Sequence, residues 1–143
     1  MPFFDRQLFT EAEATTGNLT DPAYLAARTA ATTMSRGDLD AALGGQQLDA
    51  IVAPTNGPAW TTDLVNGDHF WVSTSGPAAV AGYPITVPST LVPSGTGSML
   101  PLGVSLIGPR RADARTLVLA AGVEDTLHAR QRPPTPPAVL APR

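Results

Sequence analysis

Residues 68–88 are organised around a run of small side chains: Asp68-His-Phe-Trp-Val-Ser-Thr-Ser-Gly-Pro-Ala-Ala-Val-Ala-Gly-Tyr-Pro-Ile-Thr-Val-Pro88. Pro77 suits the first turn of a helix, because its missing N–H would have no partner there. Gly82 suits the end of that helix, since glycine adopts the left-handed conformation without penalty. The pattern therefore predicts a short helix over 78–81 whose methyl-sized side chains allow close packing on a sheet.

A strand is predicted directly after this helix. Ile85-Thr-Val87 is a β-branched run, which is typical of strands. A compact helix that leads into a buried strand indicates an α/β core. We expect a larger side chain at Ala79 or Val80 to overfill the packing between the two elements.

The chain before this stretch carries three helical patterns and one apolar run. Helices are predicted over 4–15, 22–34 and 38–43, with breaks at Thr16-Gly-Asn18 and Ser35-Arg-Gly37. The run Leu48–Ala53 is short and ends at Pro54. It predicts a strand that is buried on both faces.

The chain after this stretch predicts a strand pair and a closing helix. Residues 89–92 and 103–108 are joined by a glycine- and serine-rich segment, which favours an antiparallel pair. A helix is predicted over 112–130, and its first half is apolar nearly all round, so we expect that end to be well buried. Residues 133–143 form a proline-rich tail. The predicted fold class is α/β, part of a mixed β-sheet covered by helices.

Composition excludes several classes of protein. The 143 residues are 43% hydrophobic, which is enough for one domain or part of one. A net charge of −3 does not favour a nucleic-acid partner. Cysteine is absent, so neither a disulfide framework nor a thiolate metal site is predicted. The start lacks a secretory pattern and no apolar run approaches about 18 residues, so we expect a cytoplasmic chain without a membrane span.

Three blocks carry a resemblance to a known family. They occur in the order Leu48–Thr55, Ser75–Pro88 and Leu100–Gly108. Together they resemble the C-terminal part of amidase signature enzymes over roughly residues 3–132. The resemblance implies a large mixed sheet covered by helices. It divides the chain into residues 1–132, an amidase-like part, and residues 133–143, the tail.

The resemblance also implies a function. Amidase signature enzymes hydrolyse or transfer amides with a serine nucleophile, a second serine in a cis peptide and a lysine, all in the N-terminal half of the domain. This sequence has no lysine, since its nine basic residues are all arginine, and it has no Gly-Gly-Ser-Ser run. No catalytic residue is therefore assigned. We expect the chain to supply sheet core and one wall of a substrate channel, and to be inactive alone.

The expected partners follow from that role. An N-terminal amidase half, or a homo-oligomer, would cover an apolar face, and the completed protein would take a small amide as substrate. Six residues are candidates for the channel wall: Thr55, Asn56, Trp60, Asp63, His69 and Trp71. Polar residues in such places more often close turns with their own backbone, and tryptophans are more often plain core.

Two alternatives remain open from the sequence. The first is a non-catalytic remnant or a subunit that completes a partner. The second, weaker one is an independent serine hydrolase that uses His69 with Ser73 or Ser75. Asp68 would orient His69 poorly, because adjacent residues in an extended chain point to opposite sides. With two histidines and no cysteine, neither a metal site nor a cofactor site is predicted.

Overall fold

The computed structural model describes residues 6–95, 97 and 99–130. In this part of the chain the elements are α1 (Gln7–Glu13), α2 (Pro22–Gly45), β1 (Ile51–Pro54), α3 (Ser75–Ala81), β2 (Ile85–Thr86), β3 (Ser89–Pro93), β4 (Met99–Ile107) and α4 (Asp113–Leu127). The predicted α/β class is confirmed. The proline-rich tail predicted over 133–143 lies outside the described residues.

The long strand β4 is the centre of the sheet. It pairs antiparallel with β1, from Ile51 opposite Ile107 to Pro54 opposite Val104. It also pairs antiparallel with β2 and then with β3, which extends from Ser89 opposite Gly103. The predicted pairing of β3 with the following strand is confirmed. The outer edge of β1 has no strand beside it within the described residues.

Helices pack on both faces of this sheet. On one face, three cross-strand neighbours pack against α2 and α3, namely Ile51, Ile85 and Ile107. The same core also holds Leu39, Leu43, Ala78, Ala81 and Tyr83. Side chains of successive strand residues point to opposite faces. Thr86, next to Ile85, accordingly faces α4 and lies 3.4 Å from the carbonyl oxygen of Thr116. The architecture is therefore a three-layer arrangement of helices, sheet and helix.

The second helix differs from the prediction, because α2 runs without a break for 24 residues. Asp21 caps its start, accepting hydrogen bonds from the backbone N–H groups of Ala23 (2.8 Å) and Tyr24 (3.4 Å). The predicted break at residues 35–37 is wrong. A glycine inside a helix costs only about 1 kcal/mol, and the burial of Leu39 and Leu43 beyond Gly37 offsets it.

The small-residue helix α3 begins at Ser75 and ends, as predicted, at Gly82 in the left-handed conformation, with φ +72°. Ala78 and Ala81 are fully buried, whereas Ala79 and Val80 are exposed. The expectation that Ala79 and Val80 carry the tight packing is therefore wrong. A helix presents one face to its neighbour, and that face is set by the buried pair three residues apart.

Polar contacts close the interface between α2 and α3. The Nε group of Arg36 donates to the carbonyl oxygen of Ala81 at 2.9 Å. The Tyr83 hydroxyl donates to Asp40 Oδ1 at 2.6 Å, and this hydrogen bond to a carboxylate raises the pKa of Tyr83. Both contacts fix α3 relative to the C-terminal half of α2.

Two apolar surfaces are exposed where burial was predicted. Val52, on the face of β1 opposite Ile51, is 64% exposed, so β1 is partly buried on one face and exposed on the other. In α4 the buried residue is Thr116, while Leu117 and Val118 are 60% and 71% exposed. Periodicity predicted apolar contact for these side chains, and the described residues provide no segment that covers them. In that part of the chain no helix is long and apolar enough to cross a membrane.

Candidate functional site

All six candidate channel residues lie in the connection between β1 and α3, which we call loop 55–74. It is a long segment without a helix or a regular strand of its own. Long loops in compact domains are commonly functional. The geometry of this loop is set at its two ends and at one turn in its middle.

Three hydroxyl groups hold the two ends together, and we call them the hydroxyl clasp: Thr55, Thr74 and Ser105. Ser105, on β4, is fully buried. Its Oγ lies 2.8 Å from Thr55 Oγ1 and 3.1 Å from Thr74 Oγ1, both within hydrogen-bond distance. The Thr74 hydroxyl also donates to the carbonyl oxygen of Pro54 at 2.9 Å. Both ends of the loop are thus tied to the central strand.

Backbone contacts reinforce the clasp. The Thr74 N–H donates to the carbonyl oxygen of Thr55 at 3.2 Å, and the Thr55 N–H donates to that of Gly103 at 2.8 Å. Asn56 and Ser73 form an isolated antiparallel bridge. When the Asn56 amide is oriented with its nitrogen as donor, it donates to the carbonyl oxygen of Val72 at 3.2 Å. Asn56 therefore joins the first residues of loop 55–74 to its last residues.

Asp63 builds the turn in the middle of the loop. Its Oδ1 accepts hydrogen bonds from the N–H groups of Val65 and Asn66, both at 2.9 Å, and its Oδ2 accepts one from the Asn66 side chain at 2.9 Å. Gly67 completes the turn with φ +81°. The hydrogen bonds from Asn66 and Val65 lower the pKa of Asp63 to about 2. Asp63 is a turn-forming residue, as the alternative interpretation of the polar candidates had it.

We expect this turn to survive acidification below the ordinary range of an aspartate. Because the folded-state pKa is lowered to about 2 from 3.8, the stabilisation is fully present above pH 3.8 and is lost as the pH falls through about 2. An NMR titration of the Asn66 side-chain amide should show its midpoint near pH 2. In Asn66→Ala, followed through the Val65 amide, the midpoint should move upward. A wild-type midpoint near 3.8 would contradict the assignment.

The tryptophans are exposed, so the interpretation of them as plain core is wrong. Trp60 is 39% exposed and Trp71 is 82% exposed. The indole of Trp71 lies over Gly57, where an added Cβ would be 3.8 Å from Trp71 Cδ1. Large apolar side chains next to them are exposed too, namely Leu64, Val65, Phe70 and Val72. Loop 55–74 therefore presents an aromatic and apolar rim to solvent.

His69 has an acidic neighbour that the sequence did not predict. Its Nε2 lies 3.6 Å from Asp63 Oδ2, so Asp63 and not Asp68 is the carboxylate beside it. The Ser73 and Ser75 hydroxyls hydrogen-bond to each other at 2.9 Å. Among the described residues no serine hydroxyl hydrogen-bonds to His69, so the pair lacks a nucleophile. That part of the chain also holds no cluster of three potential metal ligands.

Ser105 and Thr74 were not predicted from the sequence, although a signal for Ser105 was present. Ser105 stands between Gly103 and Ile107 on the face of β4 that packs against the core. A lone hydroxyl on such a face needs a hydrogen-bond partner, because burying it unpaired is costly. Thr55, by contrast, was identified from the sequence as a channel candidate.

No family model and no curated protein matches the chain. Three solved structures are similar to it at 36% sequence identity each. One is PAM12A, which matches 92% of this chain with a TM-score of 0.77. Another is the peptide amidase PAM in complex with the competitive inhibitor chymostatin, which matches 94% with a TM-score of 0.79.

The third is the native peptide amidase from Stenotrophomonas maltophilia, which matches 92% of this chain with a TM-score of 0.73. The matched region is a small part of each of these proteins. The chain spans 26%, 27% and 25% of their respective lengths, about a quarter. The α/β fold described above is therefore that of part of a peptide amidase.

Proposed function

We propose that this chain is the C-terminal part of an amidase signature domain and serves amide C–N hydrolysis when it is joined to a lysine-bearing N-terminal part. The observation that carries the proposal is the 36% identity to peptide amidase over more than nine-tenths of the chain. The three sequence blocks in the family's order support it. Residues 1–132 would be the amidase-like part, residues 133–143 a tail, and the chain would act in the cytoplasm.

In this proposal the chain contributes structure and not the reacting groups. The chemistry of the family uses a serine relay completed by a lysine, and this sequence has arginine alone as its strong base. A guanidinium stays protonated near neutral pH and cannot take a proton from serine. The sheet core around β4 would support the missing catalytic half, and loop 55–74 would form one wall of the substrate channel.

The exposed surfaces support a partner of this kind. Within the described residues the outer edge of β1 has no strand beside it, and an edge strand is a ready site for another strand. Val52 on the same strand and Leu117 and Val118 on α4 expose apolar side chains. An N-terminal amidase part, supplied by the same polypeptide or by a second one, would cover these groups. A homo-oligomer would cover them in the alternative arrangement.

A chimaeric enzyme tests the proposal. The segment of the Stenotrophomonas maltophilia peptide amidase that matches this chain is replaced by residues 6–130, and ammonia release from a peptide amide is measured. We expect release by the chimaera, none by the enzyme with the segment deleted, and none by the 143-residue chain alone. A chimaera that folds but releases no ammonia would favour the non-catalytic alternative.

The same assay addresses the independent hydrolase. If the 143-residue chain alone released ammonia and His69→Ala abolished the release, the proposal would be wrong and His69 would be a catalytic base. The absence of a serine beside His69 in the described structure argues against that result.

A further inference from the structure

We infer that Ser105 is a positioning residue. Through Thr55 and Thr74 it fixes both ends of loop 55–74 on the sheet, and it thereby sets where the aromatic rim stands beside a bound amide. The part of the inference that concerns the amide rests on the proposed function. The part that concerns the loop rests on the contacts of the hydroxyl clasp.

Ser105 lies where an unpaired hydroxyl would be costly. It is fully buried on the central strand, and its cross-strand neighbour on β1 is Ala53. A hydroxyl in such a place is stabilised only if it is hydrogen-bonded. Both side-chain partners that the structure gives it are threonines at opposite ends of one loop, 2.8 and 3.1 Å away. The hydroxyl therefore holds the loop in place, since neither of these partners belongs to a strand.

Gly103 supplies the second step, because it makes room for the clasp. An added Cβ at Gly103 would lie 2.8 Å from Thr55 Oγ1 and 2.7 Å from Val87 Cγ1. Real side chains do not approach so closely without a shift of the neighbours. Thr55 thus occupies a space on the sheet that only glycine leaves open, while its N–H donates to the carbonyl oxygen of Gly103. Thr55 therefore contacts two residues of β4, Gly103 and Ser105.

The third step concerns what the clasp holds. Between Thr55 and Thr74 the side chains of Phe70 and Trp71 are 63% and 82% exposed, so they bury little apolar surface of their own. A loop with few buried apolar contacts has a low free energy of local opening. Its position must then depend strongly on its ends. Loss of the clasp should free the rim while leaving the core of the chain in place.

Amide hydrogen exchange on the 143-residue chain tests the inference without any activity. In Ser105→Ala the amides of Thr55 and Thr74 should exchange about tenfold faster, as expected for the loss of one buried hydrogen bond. The Val104 amide on the same strand, which donates to Pro88, should keep its rate. Equal acceleration at all three amides, or at none, would overturn the inference.

A second variant guards against a general loss of folding. Thr74→Val removes the clasp from the loop side, keeps the side-chain volume and leaves β4 untouched. The matched control is Thr126→Val in α4, which likewise removes a hydroxyl that donates to a backbone carbonyl, that of Gly122. Faster exchange at Thr55 in Thr74→Val but not in Thr126→Val supports the clasp. The same rate in both variants counts against it.

Kinetics in the chimaeric enzyme test the role toward substrate. For an amide with an apolar side chain, Ser105→Ala should raise KM about tenfold with kcat largely kept, since the rim binds and does not react. A fall in kcat at unchanged KM would contradict the positioning role. If the chimaera itself is inactive, the proposed function fails, and the exchange rates still decide whether Ser105 holds the loop.

Discussion

Gly108→Ala is expected to lower the free energy of unfolding by about 1–3 kcal/mol, the usual cost of an overfilled interior. Gly108 follows β4 directly and faces the fully buried Thr116 of α4. An added Cβ would overlap Thr116 Oγ1 and would approach Thr116 Cβ to 3.3 Å and Pro84 Cγ to 3.4 Å. The Gly108 N–H donates to the carbonyl oxygen of Pro84, so the backbone cannot simply move aside. Either the Thr116 hydroxyl must rotate and lose its hydrogen bond to the carbonyl oxygen of Ala112, or α4 must shift.

Urea unfolding followed by circular dichroism would measure this effect. The matched control is Gly122→Ala, the same substitution inside α4, where an added Cβ meets no atom within 4 Å. That variant should gain about 0.5–1 kcal/mol from the better helix propensity of alanine. Thr116→Ala should recover part of the loss when it is combined with Gly108→Ala, because it removes the overlapping Oγ1. Equal stability of Gly108→Ala and wild type would show that α4 does not pack as described.

Ala81→Leu is expected to lower the free energy of unfolding by a similar amount, about 1–3 kcal/mol. Ala81 is fully buried between α3 and α2, and its carbonyl oxygen accepts the hydrogen bond from Arg36. Three added carbon atoms would separate the two helices and stretch that hydrogen bond. The contact between Tyr83 and Asp40, two residues further on, would be disturbed with it.

The control for this variant is Ala79→Leu on the opposite face of the same helix. Ala79 is exposed in the chain, and surface substitutions usually change stability by no more than about 0.5 kcal/mol. The difference between the two variants, measured by the same unfolding assay, determines which face of α3 is packed. If Ala79→Leu were the more harmful of the two, the orientation of α3 would be wrong.

Local signals in the sequence predicted much of the secondary structure. Gly82 ends α3 because glycine tolerates a positive φ. At the start of α2 the Asp21 side chain accepts hydrogen bonds from free backbone N–H groups, and Pro22 has no N–H group that needs a partner. Such signals act over a few residues and need no knowledge of the rest of the fold. The break at residues 35–37 failed because the cost of Gly37 is small against the burial of Leu39 and Leu43, which is a tertiary effect.

Burial was harder to predict than secondary structure. The apolar runs in β1 and α4 predicted burial, yet Val52 and Leu117 are exposed. Whether an apolar face is covered depends on a second segment, and the pattern of one segment cannot say which segment that is. The exposed faces are consistent with the quarter of peptide amidase length that the chain matches.

The candidate site was predicted as a place and not as a geometry. The sequence predicted a long connection over 54–66, whereas the structure extends it to residue 74. Asp63 is the neighbour of His69 through the turn that ends at Gly67. The signal was available, since an aspartate followed by Asn-Gly at the third and fourth positions favours such a turn. The contact from Ser105 to Thr55 spans 50 positions, and no local rule foresees it.

The local stability of α2 differs between its two ends. Its 24 residues extend roughly 36 Å at 1.5 Å per residue, but its buried residues, Leu39 and Leu43, lie in the last third of it. Isolated helical segments shorter than about 12–15 residues are marginal in water. The N-terminal turns therefore depend on the Asp21 cap and on continuity with the anchored end. These turns are exposed, so we expect them to fray first, and protease cleavage in them would report whether anything docks there.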